Sequence, residues 1–275
     1  MDMTRLFQFL KKQPVFAAVL ALAVAVPALL LPQDVYWHRC VLRILMCGTM
    51  LFLLYLVSGE KTLSQGCNQT GYVIGHLLAF PIMALLMGAM GFIGQLQEGV
   101  ESGLPLRLVT IVFMVLFACL FEELCFRALL NDAIVGQFRN CRGVFAVSAT
   151  VSSLVFGLVH VIGSPVSTAF EFAQAALKTF SCAIFGFAMM ILYWKTRNVW
   201  ALGIIHALYD LFTMSSVILG GNAKLGVGSY VNEGEQGFYG IIVLAVESAV
   251  SLIITLIIWK KVGRTLDFKS MRENW

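Results

Sequence analysis

Two adjacent glutamates, Glu122 and Glu123, lie inside a hydrophobic stretch of the sequence, where carboxylates are rare. They belong to the string FEELCFR at residues 121–127. In a helix, Glu123 and Arg127 are four residues apart on one face and can form an ion pair. Glu122 lies about 100° round the helix and cannot comfortably share that partner. The spacing therefore predicts one neutralised carboxylate and a second one, Glu122, that faces another group.

Two later hydrophobic stretches contain histidines in pairs with the same four-residue spacing. Phe156 and His160 share a helix face in FGLVH, and His206 and Asp210 share one in HALYD. A carboxylate one turn from a histidine can hydrogen-bond a ring nitrogen, which sets the tautomer and holds the ring in a catalytic orientation. Together with Glu122, these groups could activate a water molecule or bind a metal ion. Either arrangement indicates an intramembrane hydrolase.

All three stretches belong to long apolar segments that indicate membrane-spanning helices. The chain of 275 residues is 59% hydrophobic and only 12% charged, whereas a soluble globular protein has about 25% charged residues. This composition excludes a soluble globule, a disordered chain and a nucleic-acid-binding protein. The segments are continuously apolar and do not alternate as the strands of a β-barrel would. The predicted fold class is an all-α, polytopic transmembrane helical bundle in a multi-pass protein of the cell membrane.

About eight segments approach the roughly 20 apolar residues that a spanning helix needs. They are Pro14–Leu31, Val41–Val57, Tyr72–Ile93, Leu106–Leu130, Val144–Ile162, Thr168–Trp194, Trp200–Leu219 and Phe238–Trp259. Lys and Arg are concentrated in the segments that lie inside when the N-terminus is inside, which predicts both termini on the inner side. The connecting loops are too short for a soluble domain, so residues 1–275 are predicted to form a single membrane domain.

The seven cysteines indicate neither a disulfide framework nor a zinc knuckle. Their number is odd, and no Cys-x-x-Cys occurs. The expected role of these residues is that of small buried hydrophobic side chains.

Other classes of intramembrane protease find no support in the sequence. No Gly-x-Ser-x-Gly occurs, which leaves a serine nucleophile without its motif. No His-Glu-x-x-His occurs, so a zinc-binding helix of that type is missing. An aspartyl dyad would need a second Asp beside Asp210, and no other Asp lies in a predicted span.

The order of the three motifs resembles that of the CAAX protease and bacteriocin-processing family, also called the Abi family. The matching strings are Glu122-Glu123-x-x-x-Arg127, Phe156-x-x-x-His160 and His206-x-x-x-Asp210. Each motif alone is unspecific, but three in this order on separate spans form a specific pattern. The resemblance covers roughly Leu106–Leu219, and it identifies residues 106–219 as the catalytic core.

Two departures from the family pattern accompany the resemblance. Ala128 follows the arginine where a glycine is usual, and Asp210 stands where asparagine is commoner. The family tolerates aspartate, but a charged acid beside His206 favours an imidazolium more than an amide would. The pH profile is therefore expected to differ from that of a relative with asparagine.

The resemblance implies an endopeptidase whose active site lies in a cavity within the membrane. It assigns Glu122 as the general base that activates water and His160 as its partner in that activation. His206 and Asp210 are implied to stabilise the oxyanion or to orient the site. The resemblance implies that Glu123 and Arg127 form an ion pair that fixes the helix and supports the site. Phe156 is implied to be a further supporting residue.

The resemblance leaves the metal dependence open. A metal-free glutamate–histidine mechanism without a cofactor is favoured, because the candidate ligands lie on three separate helices and no two-histidine motif organises them. The alternative is a divalent metal such as zinc bound by Glu122, His160 and His206. The expected partners are membrane lipid and a peptide or membrane-protein substrate, with no nucleic acid, while the sequence does not determine the oligomeric state.

Two other functions remain open from the sequence. The first is a non-catalytic bacteriocin-immunity or regulatory membrane protein, since some relatives are described only in those terms. The second is a transporter in which the four polar residues relay protons, although no inverted repeat supports it. The expected function is an intramembrane endopeptidase that hydrolyses a peptide bond in a membrane-associated peptide or protein precursor.

Overall fold

The structure, a computed structural model, describes residues 3–30, 36–58, 69–99, 104–219 and 234–275. Helices account for nearly all of these residues, and the described ranges contain no β-strand. The predicted all-α fold class is confirmed.

The chain divides into two compact units, the first of which is formed by residues Met1–Leu129 and Thr196–Lys224. Its helices, in chain order, are α1 (Met3–Lys12), α2 (Pro14–Leu30), α3 (Tyr36–Ser58), α4 (Thr70–Leu77), α5 (Ala79–Glu98), α6 (Leu104–Glu122), α10 (Val199–Thr213) and α11 (Ser215–Leu219). A π-helix at Glu123–Leu130 continues α6 without a break.

The second unit is formed by residues Leu130–Lys195 and Leu225–Trp275. It contains α7 (Asn131–Gln137), α8 (Val144–Val159), α9 (Ala169–Thr196), α12 (Gly234–Lys261), a 3₁₀ turn (Gly263–Thr265) and α13 (Phe268–Asn274). The predicted single domain over residues 1–275 and the predicted core over residues 106–219 stay predictions.

Five helical stretches are long and apolar enough to cross a membrane. They are Trp37–Leu56, Ala79–Gln97, Leu108–Gln137, Ala169–Thr196 and Gly237–Thr265. Three shorter apolar helices, Pro14–Ala25, Val144–Val159 and Val199–Thr213, fall on the other predicted segments. The apolar helices indicate an integral membrane protein, whereas the count of eight spans, the side of the termini and the identity of the membrane stay predictions.

In the first unit, α10 packs against α6 and α5, and α3 also packs against α6. The start of α10 is fixed by Asn198, which is fully buried. Its side chain accepts a hydrogen bond from Ala201 N (2.9 Å) and donates one to Thr70 Oγ1 (2.9 Å). The first bond is an N-cap, which satisfies a backbone donor that the helix itself leaves unpaired. The cap therefore fixes where α10 begins and ties that end of the helix to α4.

Glycine permits the close approach of α5 and α10. A Cβ atom added at Gly88 would lie 2.2 Å from the carbonyl oxygen of Phe212, which is far inside van der Waals contact. At Gly94, on the same helix, an added Cβ would meet no atom within 4 Å.

We expect Gly88→Ala to destabilise the protein and Gly94→Ala to leave its stability equal or slightly higher. The first change forces two backbones apart, and such overpacking costs about 1–3 kcal/mol. The second change introduces only the better helix former. Thermal unfolding of the two purified variants in detergent measures the difference, and equal melting temperatures would contradict this packing.

A buried polar network holds together the helices of the second unit. Asp132 accepts hydrogen bonds from Tyr193 Oη (3.1 Å) and from Asn131 Nδ2 (3.1 Å). Asn131 Oδ1 in turn accepts from Trp194 Nε1 (3.0 Å) and from the Ser148 hydroxyl. Because each of these buried groups has a partner, the network links α7, α8 and α9 without leaving its polar atoms unsatisfied.

Candidate active site

The glutamate pair lies where the backbone changes from α-helix to π-helix. Glu122 is the last residue of α6, and Glu123 is the first residue of the π-helix. π-Helical turns widen the helix and are frequent at functional sites. The predicted ion pair is present, with Arg127 Nε 3.2 Å from Glu123 Oε2 and both side chains almost completely buried. The negative charge of Glu123, the residue after Glu122, is therefore compensated by Arg127.

His206 of α10 lies between the two glutamates. Its Nδ1 is 2.8 Å from Glu123 Oε1, and its Nε2 is 3.8 Å from Glu122 Oε2. A carboxylate that is ion-paired to arginine only accepts hydrogen bonds, so Nδ1–H is the donor to Glu123. Nε2 therefore faces Glu122, and Glu123 fixes both the tautomer and the orientation of the ring.

Asp210, one turn beyond His206, is on the same side of the ring as Glu122. Its Oδ1 lies 4.0 Å from His206 Nε2, which is outside hydrogen-bond distance. The sequence predicted that Asp210 would orient the histidine, whereas the short contact in the structure is with Glu123. Asp210 is instead placed to add a second negative charge beside Nε2.

The three carboxylates differ in how far their side chains are exposed. The Glu123 side chain is completely buried, whereas the Glu122 side chain is 20% exposed and the Asp210 side chain is 36% exposed. His206 is 3% exposed. The side chains of Glu122 and Asp210 thus reach the surface of the helix packing, whereas that of Glu123 does not. Glu122 and Glu123 therefore have different surroundings, although they are neighbours in the sequence.

Cys119 is a member of this cluster that the sequence analysis treated as an ordinary buried residue. Its Sγ donates a hydrogen bond to Asp210 Oδ2 at 3.3 Å. Cys119 precedes Glu122 and Glu123 by three and four residues, so helical spacing alone places it on their side of α6. The sequence therefore contained a pattern that could have indicated Cys119 as a site residue. The pattern can be interpreted only when α10 is known to pack against this face of α6.

Among the described residues, Cys119, His206 and Asp210 form a group that could hold a metal ion. One ligand atom from each lies within 4.8 Å of the other two. Thiolate, imidazole and carboxylate are all zinc ligands, so the set fits zinc by donor type. It differs from the zinc ligands that the sequence analysis considered, of which it shares only His206.

Phe156 and His160 lie in the second unit, at the end of α8. The two rings meet edge to face with centroids 4.5 Å apart, and His160 Nδ1 donates to the Phe156 carbonyl oxygen at 2.7 Å. The hydrogen bond indicates the tautomer of His160 that carries its proton on Nδ1. The participation of His160 in water activation with Glu122 stays a prediction.

Comparison with known protein families gives a match in the central part of the chain. Residues 104–212 match the family model described as "Type II CAAX prenyl endopeptidase Rce1-like". All three motifs lie within the matched residues, and the match confirms the resemblance to the CAAX protease family. The matched part is less than half of the chain and leaves out α1–α5 and the helices after α10. No curated protein and no solved structure matches the chain.

Proposed function

We propose that this chain is an intramembrane endopeptidase that hydrolyses a peptide bond of a membrane-associated peptide or protein precursor. The observation that carries the proposal is the arrangement of His206, held by Glu123 on one ring nitrogen and facing Glu122 with the other. Within apolar helices, charged groups are costly and mark function. The match to a family of prenyl endopeptidases makes prenylated peptides the first substrates to test.

In the proposed reaction, Glu122 accepts a proton from a water molecule, and the water oxygen forms a bond to the carbonyl carbon of the substrate. The oxyanion that develops is stabilised by the imidazolium form of His206, whose charge Glu123 and Asp210 balance. Glu122 then delivers its proton to the amide nitrogen as the C–N bond breaks. His160 is proposed to assist in positioning the water. Each of these steps uses a group within the matched segment.

We propose that this reaction needs no metal ion, and we expect a chelator to leave the activity of the purified protein unchanged. The thiol of Cys119 is engaged by Asp210 as a hydrogen-bond donor, whereas a metal ligand must be a thiolate. Peptide cleavage before and after dialysis against 1,10-phenanthroline checks this prediction. Loss of activity that added zinc restores would instead establish a metallopeptidase. In that event, reduced zinc binding by Cys119→Ala would identify Cys119 as one of the ligands.

The decisive experiment is quantitative N-terminomics on membranes and medium of cells that express either the wild-type protein or Glu122→Gln at matched abundance. New peptide termini that depend on Glu122 would establish a protease and identify its substrate. The matched control is Glu273→Gln, because Glu273 is an exposed carboxylate in α13, remote in sequence from the motifs. If no terminus differs although the variant is inserted normally, the peptidase proposal fails and a non-catalytic immunity or regulatory function takes its place.

A further inference from the structure

Four aromatic side chains of the second unit meet where α8 begins and where α9 and α12 end. Between ring centroids, Phe145 lies 5.5 Å from Trp194 and 5.2 Å from Phe268. Trp194 lies 5.6 Å from Phe268, and Trp259 stacks on Phe268 at 6.4 Å. These distances are typical of favourable aromatic pairs. The four rings, which we call the aromatic cluster, therefore bring the ends of three helices together and attach α13 to them.

A tight turn folds the chain back so that α13 meets the aromatic cluster. Gly263 is buried in this turn, and a Cβ atom added there would lie 2.3 Å from Cε3 of Trp259, so the backbone passes directly over the indole ring. Asp267 then caps α13, because its side chain accepts hydrogen bonds from the backbone N–H groups of Lys269 and Ser270 at 3.1 Å each. Packing and capping together fix the position of α13.

Exposed basic residues flank the aromatic cluster along the chain. Consecutive Cα atoms are about 3.8 Å apart, so residues next to a ring in the sequence are brought together where the rings meet. Within three residues of the four rings, the sequence contains a single acidic residue, Asp267. The exposed basic residues within the same distance, which we call the basic surface, are Arg142, Lys195, Lys260, Lys261 and Lys269. The ring contacts thus gather positive charges from separate parts of the sequence.

The basic surface lies where two candidate membrane spans end. These spans are Ala169–Thr196 and Gly237–Thr265. Both tryptophans of the aromatic cluster lie near these ends, and tryptophan is enriched at the boundary between membrane and water. At the other end of α9, residues 160–177 contain neither lysine nor arginine. Positive charge is therefore concentrated at one end of α9, where an apolar span gives way to polar residues.

We propose that the basic surface binds the anionic headgroups of membrane phospholipids. Its positive charges complement a negatively charged lipid surface, and clusters of about four to eight lysines and arginines beside a span are typical of such sites. Their N–H groups donate charge-assisted hydrogen bonds to phosphate oxygens. A water-soluble polyanion matches the surface less well, because the tryptophans and the span ends belong to a lipid boundary. Lipid binding here does not depend on the peptidase function, and the matched residues 104–212 leave out α12 and α13.

The test uses the purified full chain in a neutral detergent and counts bound lipids by native mass spectrometry. Dioleoylphosphatidylglycerol, which is anionic, is compared with dioleoylphosphatidylcholine, which has the same acyl chains and no net charge. Two variants each remove two exposed charges from the basic surface: Lys260→Gln/Lys261→Gln at the end of α12, and Lys195→Gln/Lys269→Gln on α9 and α13. The melting temperature of each variant is measured alongside.

We expect the wild-type protein to bind the anionic lipid more tightly than the neutral one, and added salt to reduce this preference because it screens exposed charges. Each basic residue near an anionic surface contributes about fivefold to binding, so each double variant should weaken binding of the anionic lipid by about 25-fold. Binding of the neutral lipid should not change. The two pairs lie at different positions, so one pair remains informative if the other variant is poorly folded.

Two control variants leave the basic surface intact. Lys11→Gln/Lys12→Gln removes two exposed charges from α1 in the first unit, and Glu273→Gln removes an exposed charge of the opposite sign from α13 itself. Both variants should retain the preference for the anionic lipid.

Three outcomes overturn the proposed lipid binding. The first is a wild-type protein that binds the two lipids equally. The second is a Lys11→Gln/Lys12→Gln variant that loses as much binding as the two basic-surface variants, since binding would then reflect net charge alone. The third concerns a short single-stranded oligonucleotide as competitor: if the basic surface binds it more tightly than the anionic lipid, the partner is a nucleic acid.

Discussion

Replacing Glu122 with glutamine is expected to lower kcat of the purified protein by a factor of roughly 10²–10⁴, the usual contribution of a general base. Glutamine has nearly the same shape but cannot accept the proton of the attacking water. The Glu122 side chain is 20% exposed and lies 3.8 Å from His206 Nε2, so the substitution removes a reactive group without opening a cavity. Single-turnover cleavage of a substrate peptide, together with thermal unfolding, measures both effects.

Two further variants show whether a loss of activity in Glu122→Gln is due to the loss of the carboxylate. Glu122→Asp keeps the carboxylate but withdraws it by one methylene from His206, so it should retain more activity than glutamine and less than the wild-type protein. Glu273→Gln should resemble the wild-type protein. Full activity of Glu122→Gln would show that another group activates the water, and Asp210, with its 36% exposed side chain, would be the next candidate.

Replacing Arg127 with methionine is expected to destabilise the protein by about 3–5 kcal/mol, the range for removing one partner of a buried ion pair. Arg127 is 1% exposed, and its partner Glu123 is completely buried. Methionine fills a similar length but leaves the negative charge of Glu123 uncompensated next to His206. The free energy of unfolding, measured by titration with a denaturing detergent, should fall together with the fraction of active protein.

The double variant Glu123→Gln/Arg127→Met separates the charge from the packing. With both charges removed, much of the lost stability should return, because no uncompensated buried charge remains. Activity should not return with it, since His206 Nδ1 then lacks its carboxylate acceptor. Arg264→Met, a change at an exposed basic residue, is the control. If Arg127→Met is as stable as this control, the ion pair does not support the site.

The local features of the site followed from the sequence because helical periodicity determines which side chains share a face. The spacing of Glu123 and Arg127 predicted their ion pair, and the spacing of Phe156 and His160 predicted that they share a helix face. The ion pair is present, and the rings of Phe156 and His160 are in contact. The same periodicity did not predict the π-helix that begins at Glu123, since the sequence pattern was interpreted with the α-helical repeat alone.

The contacts between helices could not be predicted in this way. His206 meets Glu123 across 83 residues of sequence, and Cys119 meets Asp210 across 91. The sequence offered Asp210 as the partner of His206, because only neighbours on the same helix are visible in a spacing pattern. The actual partner depends on the face that α10 presents to α6, which the Asn198 cap and the packing at Gly88 help to determine.

The sequence by itself thus determined an all-helical chain with several membrane-spanning helices and the set of ionisable residues that those helices carry. The apolar composition excludes a water-soluble globular protein. Because a charge in lipid is costly, each ionisable residue in these helices is a candidate functional residue. The tertiary structure decided how these residues are arranged: a completely buried Glu123 that contacts Arg127 and His206, and a partly exposed Glu122 that faces the other ring nitrogen. It also decided that Cys119 belongs with this group. The physical reason is that hydropathy and spacing are properties of a single helix, whereas hydrogen bonding, burial and electrostatic coupling depend on which helices pack together.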